Sequence, residues 1–267
     1  METIVIIPNY NGLPHLKECL PSLENQTYKK FKIIVVDDGS SDNSVEFLKN
    51  NHSQTEVLRL QANGGFANAV NAGINYATQT YSPIYIALLN NDTKIDQNWL
   101  KLLIESMDSE KNVASVASNM LFWDSPGVIN SHGGMCNSIG IGKDINFGRK
   151  NLNINIQKYV LSSCFGATLL KADALSAIGL LDKRYFAYYE DLDWGMRANI
   201  FGYKIIFDER AIVYHRGSAT FKNREYEKIY LCLRNSLCTI IKNYQLKNLL
   251  KSAPYCLSII RNISWGI

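Results

Sequence analysis

Short apolar runs alternate with stretches whose apolar positions recur every three or four residues, from Thr3 to beyond Val113. Thr3 to Ile7 reads as a buried strand, and Leu13, Leu16, Leu20 and Leu23 follow at helical spacing, with Pro14 at the helix start. Phe31 to Val36 predicts a second strand that stops at Asp37-Asp38-Gly39-Ser40, with a helix beginning near the capping residues Asp42 and Asn43. Glu56 to Leu60 predicts a third strand, and Phe66, Ala69, Val70, Gly73, Ile74 and Ala77 mark one helix face. Ile84 to Leu89 predicts a fourth strand, a helix runs from about Asp96 to Met107, and Val113 to Ala117 predicts a fifth strand. Strand and helix in alternation imply a mostly parallel sheet covered on both faces. Such sheets bind ligands beyond the carboxyl ends of their strands, here Pro8 to Gly12, Asp37 to Ser40, Asn63 to Phe66 and Asn90 to Thr93.

The second half is less regular. Residues 119–160 are rich in Gly and Asn and read as loops with short strands, and Tyr159 to Leu170 is apolar enough to lie in or beside the core. A short helix around Lys171 to Ala177 ends near Gly179, and Glu190 to Phe201 reads as a helix that Gly202 terminates. Tyr203 to Phe207 and Ile212 to Tyr214 read as two strands. From Glu225 on, Ile229, Leu233, Leu237, Ile240, Ile241 and Tyr244 form a helical stripe.

The 267 residues suffice for one large α/β domain or two small ones. A net charge of +4 is too weak to argue for nucleic acid. Residues 1–220 carry 20 Lys/Arg and 22 Asp/Glu, whereas residues 221–267 carry 8 and 2. The expected organisation is therefore a larger unit over 1–220 and a basic helical extension over 221–267. That extension suits either an anionic membrane surface or packing of its stripe on the rest of the molecule. The six cysteines form no CxxC pair and suit reduced thiols in a cytoplasmic protein. The longest uncharged run, Leu60 to Asn91, holds six Asn, so no membrane-spanning helix is expected.

Neither GxGxxG after the first strand nor GxxxxGK[ST] is present, which argues against dinucleotide-binding and P-loop chemistry. Asp37-Asp38 form either a turn into a helix or a carboxylate that accepts a pyrimidine ring N–H or a ribose hydroxyl. Asn90-Asn91-Asp92-Thr93 form either a helix-start turn or a cation site with amides beside it. Glu190-Asp191-Leu192-Asp193 place acids at a helix N-terminus, where they offset the dipole, and crowd like charges in a way that suits a general base. His215 closes a strand and is either a packing residue or a metal ligand.

Taken in order, IIPNYNG (6–12), VVDDGSSDNS (35–44), NGGFANAVNAGI (63–74), LLNNDT (88–93), FGATLL (165–170), YFAYYEDLDWGMRANIFGYKIIF (185–207), VYHRGS (213–218) and RNS (234–236) resemble the inverting family 2 glycosyltransferases of GT-A fold. Within that family the chain is most similar to the rhamnosyltransferase-like branch of cell-surface polysaccharide enzymes. The resemblance implies that Pro8, Tyr10, Asn11, Asn63, Gly65, Asn68 and Asn91 line the nucleotide pocket and that Asp38 bonds the base. It implies Asp92, and with it His215, as ligands of Mn²⁺ or Mg²⁺, and Asp191 as the general base. It implies a UDP- or dTDP-sugar donor and a glycan or lipid-linked acceptor. Where the usual motif is Asp-x-Asp this chain has Asn90-Asn91-Asp92, and fewer charges imply weaker metal binding. Two other readings stand beside it, a domain that binds nucleotide-sugar without catalysis and a sugar nucleotidyltransferase. The second needs a basic glycine-rich loop after the first strand, and PNYNG is not one.

Overall fold

The computed structural model describes residues 2–137, 139–152, 157–217 and 224–265, with side chains through 261. The expected boundary at 220/221 lies outside the described residues. In chain order the elements are β1 (Thr3–Asn9), α1 (Leu13–Glu24), β2 (Phe31–Asp37), α2 (Ser44–Asn51), β3 (Glu56–Arg59), α3 (Phe66–Tyr81), β4 (Tyr85–Leu89), β5 (Thr93–Ile95), α4 (Trp99–Asp108) and β6 (Val113–Phe122). They continue with β7 (Ser125–Ser131), β8 (Gly134–Cys136), β9 (Gly142–Asp144), β10 (Ala167–Lys171), α5 (Ala172–Ile178), α6 (Glu190–Ile200), β11 (Lys204–His215), α7 (Glu225–Asn243) and α8 (Leu246–Trp265).

The main sheet runs β3-β2-β1-β4-β10-β6-β11-β5, with β7 on β6. Strands β3, β2, β1 and β4 are parallel neighbours, as are β6 and β11, and β10 runs antiparallel between the two groups. Alternate residues of each strand face opposite sides. Val5, Ile7, Val35 and Ala87 therefore pack against Leu16, Leu20 and Trp99 of α1 and α4. Ile4, Ile6, Ile34 and Ile86 pack against Val70 and Ile74 of α3 and Trp194 of α6. This two-sided burial explains why the first strands read as unbroken apolar runs.

Several expectations need correction. The two strands expected over 203–214 are one strand, β11, with register shifts at Lys204/Ile205 and between Asp208 and Ile212. Asp208 accepts from its own bulge, taking Arg210 N–H (2.9 Å) and Nε–H (3.0 Å), so polar residues interrupt the pattern without ending the strand. Strand β6 continues past Ala117 to Phe122. Strand β5, of three residues, is too short to show periodicity and was not among the expected strands. The α7 stripe divides, with Ile240 buried but Ile229 and Ile241 exposed.

Candidate active site

Three strand ends are tied together first. Asn91 Nδ2 donates to Asn9 Oδ1 (2.8 Å), and Asn9 Nδ2 donates at 3.4 Å to both Asp37 Oδ1 and Ser40 Oγ. The ends of β4, β1 and β2 thus form one polar platform, with Asn9 and Asp37 buried. Asp37 also takes Arg59 as an ion-pair partner at 3.7 Å.

Asp38 lies on this platform and is 3% exposed. Its carboxylate accepts the N–H of Gly64 (3.0 Å) and of Gly65 (2.9 Å), one on each oxygen. Burial pushes the Asp38 carboxyl above its usual range, and the two N–H bonds work against that rise. The bonds also fix the loop that starts α3. Gly65 has φ +83°, and a Cβ there would sit 2.5 Å from the Phe186 ring, so only glycine lets the loop meet the opposite wall.

Antiparallel pairing of β5 with β11 sets Thr93 opposite His215 and so brings Asp92 beside that histidine. Asp92 Oδ1 lies 3.2 Å from His215 Nε2. His215 Nδ1–H donates to Asn130 Oδ1 at 3.0 Å, which directs Nε2 at the carboxylate. Burial alone would raise the Asp92 carboxyl, but the hydrogen bond and charge of His215 outweigh it and hold the group below the usual range. A carboxylate and an imidazole at this separation can share one divalent cation, since two ligands at about 2.1 Å and a right angle stand about 3 Å apart. No group of three His, Cys, Asp or Glu side chains suited to a metal occurs among the described residues. This donor set therefore fits a cation that takes its remaining ligands from substrate oxygens.

The acidic helix start is carried on a strained loop. Phe186, Tyr188 and Tyr189 have φ of 65°, 67° and 71°, each costing about 1 to 3 kcal/mol for a non-glycine residue. Helix α7 holds that loop in place. Asn235 Nδ2 donates to the carbonyls of Tyr185 (3.0 Å), Ala187 (2.8 Å) and Tyr188 (2.7 Å), and Arg234 Nη2 donates to those of Arg184 (2.8 Å) and Tyr185 (2.9 Å). Glu190 is buried, and its Oε2 has no hydrogen-bond partner among the described residues. Burial, then the neighbouring Asp191 charge, raises the Glu190 carboxyl well above the usual range. Burial and then the charge of Asp144 push Asp191 up to about 6, against the pull of the Leu192 N–H at 2.7 Å. Asp193 faces away from the cleft, paired with Arg197 (3.1 Å) and Lys242 (2.9 Å).

One cleft of about 1250 Å³ is lined by Pro8, Tyr10, Asp38, Asn63, Gly65, Asn91, Asp92, Asp191 and His215. Asp38, Asp92 and Asp191 thus open on the same hollow. Asn11 and Asn68 are not in its lining. Asn11 Oδ1 instead accepts the N–H groups of Ser41 (2.8 Å) and Asp42 (3.2 Å), and its own φ is +49°. Asp144, at the end of β9, lines the same cleft and was missed. It belongs to no motif and stands in the stretch read as irregular. Only its place on a hairpin beside Asp191 reveals it.

A mostly parallel sheet with acids gathered beyond its strand ends is the GT-A architecture, and solved glycosyltransferases share it. Residues 1–349 of S. aureus TarS, solved in complex with UDP-GlcNAc, superpose with a TM-score of 0.63 at 20% identity, covering 95% of this chain and 72% of that one. GalNAc-T7 with UDP, GalNAc and Mn²⁺ gives 0.69 at 16% identity, covering 90% and 47%. The family model for glycosyl transferase family 2 matches residues 4–179, and the chain belongs to that family. Curated relatives include the glycosyltransferase GlyG of Streptococcus pneumoniae, 33% identical over 45% of this chain and 39% of its own length. The poly-beta-1,6-N-acetyl-D-glucosamine synthase of Staphylococcus epidermidis is 27% identical over 76% of this chain and 47% of its own length. The chain thus spans less than half the length of these relatives. These matches define the family and do not single out the rhamnosyltransferase-like branch.

Proposed function

We propose that this chain moves a sugar from a UDP- or dTDP-sugar to a hydroxyl of a glycan or lipid-linked acceptor, with inversion, in polysaccharide synthesis. The observation that carries this reading is the single cleft onto which Asp38, the Asp92–His215 pair and Asp191 all open. Asp38 has further lone pairs beyond those used by Gly64 and Gly65 and accepts the ring N–H of the base. Pro8, Tyr10, Asn63, Gly65 and Asn91 shape the nucleotide pocket, while Asn11 fixes the loop at Ser41 and Asp42 and Asn68 lies against Gly64. Asp92 and His215 hold the divalent cation, Mn²⁺ or Mg²⁺, which when bound supplies Lewis-acid neutralisation of the departing diphosphate.

Asp191 takes the proton of the acceptor hydroxyl. An acidity near 6 leaves it ionised at neutral pH yet more basic than an ordinary aspartate. The acceptor oxygen then displaces the nucleoside diphosphate from the opposite face of the anomeric carbon in one step, and no covalent sugar on the protein is required. The rigid loop 186–189 keeps Asp191 in register with the donor. Free cysteines along the described chain suit a cytoplasmic location.

A thermal-shift screen of UDP-, dTDP- and GDP-sugars with Mn²⁺ or Mg²⁺, followed by product analysis, tests the reading. Stabilisation by a uridine or thymidine donor and slow release of the free nucleoside diphosphate are expected. Release of pyrophosphate would assign a nucleotidyltransferase, and binding without any donor turnover would assign a non-catalytic binder.

A further inference from the structure

Helix α7 buries Leu231 and Ile240 together with the polar Asn235, Ser236 and Thr239, and Thr239 Oγ1 lies 2.9 Å from Tyr185 Oη. Its outer side leaves Tyr226 91%, Ile229 55% and Ile241 64% exposed, with the exposed Glu225 and Glu227 confined to the first turn.

Helix α8 shows two apolar faces. Ile259 is buried together with Ser252, on the side that meets the rest of the molecule. Leu246, Leu250, Leu257 and Ile260 recur four, seven and three residues apart, which places them in one row. That row is 71%, 66%, 66% and 54% exposed. The exposed Lys247, Lys251 and Arg261 flank it, and no Asp or Glu occurs between Leu246 and Trp265. No described helix is long and apolar enough to cross a membrane. An exposed apolar row edged by cations and free of acids matches an anionic lipid surface in both its parts, because acyl chains take the row and headgroups meet the lysines. The cations of α8 stand apart from those of α7, where Arg234 and Lys242 are turned onto loop carbonyls and onto Asp182 and Asp193.

We propose that the outer faces of α7 and α8 form a docking surface for an anionic membrane, on which the molecule lies without spanning it. Because Asn235 and Arg234 of α7 hold the carbonyls of loop 184–188, the docking helix is the one that braces the acceptor side of the cleft.

Flotation of the full chain with vesicles tests this. The protein is expected to float with vesicles of phosphatidylcholine mixed with phosphatidylglycerol, to float poorly with phosphatidylcholine alone, and to lose flotation as salt rises. The pair Leu250→Asp and Leu257→Asp should abolish flotation. The pair Lys247→Glu and Lys251→Glu should abolish the preference for anionic vesicles. Both should keep the wild-type melting temperature and the wild-type shift with UDP, which separates this surface from the cleft. Absence of flotation with anionic vesicles overturns the proposal, as does flotation unchanged in both variants. A concentration-dependent dimer in lipid-free gel filtration that Leu250→Asp and Leu257→Asp disrupt would assign the face to a second copy and also overturn it.

Discussion

At the scale of single residues, the proposed chemistry turns on Asp191 and its two acidic neighbours, Glu190 and Asp144. Replacing Asp191 with Asn removes the base but keeps its shape, so turnover should fall by about 10² or more with donor affinity nearly unchanged. Steady-state kinetics together with UDP titration check that split. The wild-type rate should rise with pH through about 6, as Asp191 ionises. Asp144→Asn removes a negative charge that opposes this ionisation, so the rising limb should move to lower pH. A limb that stays in place would remove Asp144 from the electrostatics of the base. The same shifts act on stability. A carboxyl whose pKa is higher folded than unfolded stabilises the fold at low pH and loses that contribution as pH rises through the folded pKa. Glu190 is buried and raised, with an unpartnered oxygen. Glu190→Gln should therefore melt higher than wild type at pH 8, and the gain should shrink toward pH 4 in thermal scans.

Elements decide how precisely these groups meet. The first strands, α3 and α6 were legible because their periodicities are long and regular. Asp38, Asp92 and Asp191 were legible as candidates because each follows or starts such an element. What the sequence hid was pairing. Strand β5 is only three residues long, yet its ladder with β11 is what sets Asp92 beside His215. The antiparallel insertion of β10 between β4 and β6 has no local signature. Nor does the chain around Asn235 announce that its amide reaches three carbonyls fifty residues away. That contact offsets the strain of loop 186–189, so Asn235→Ala should cost about 2 to 3 kcal/mol through lost hydrogen bonds to buried carbonyls. Urea unfolding measures the loss, and kcat should fall more than the donor KM rises if the displaced group, Asp191, is the base as proposed.

At the scale of the whole molecule, a single cleft is lined on one side by the ends of β1 and β2 and the start of α3 and on the other by the start of α6 and by β9; in the proposed function the first side takes the nucleotide and the second the reacting groups. The pair proposed to hold the cation, Asp92 and His215, opens on the same cleft. His215→Ala should raise the Mn²⁺ concentration for half-maximal activity by at least about tenfold, given that even outer partners of metal ligands cost about 10- to 100-fold. Equal Mn²⁺ dependence in the variant would remove His215 from the site.

The most direct test of the cleft as a donor site is calorimetric titration of UDP and dTDP, with Mn²⁺ present, into wild type, Asp38→Ala and Asp191→Asn. One saturable site is expected for at least one of the two nucleotides, weakened by about tenfold or more in Asp38→Ala and retained in Asp191→Asn. Wild-type protein that binds neither nucleotide, or Asp38→Ala that binds as tightly as wild type, would contradict the account.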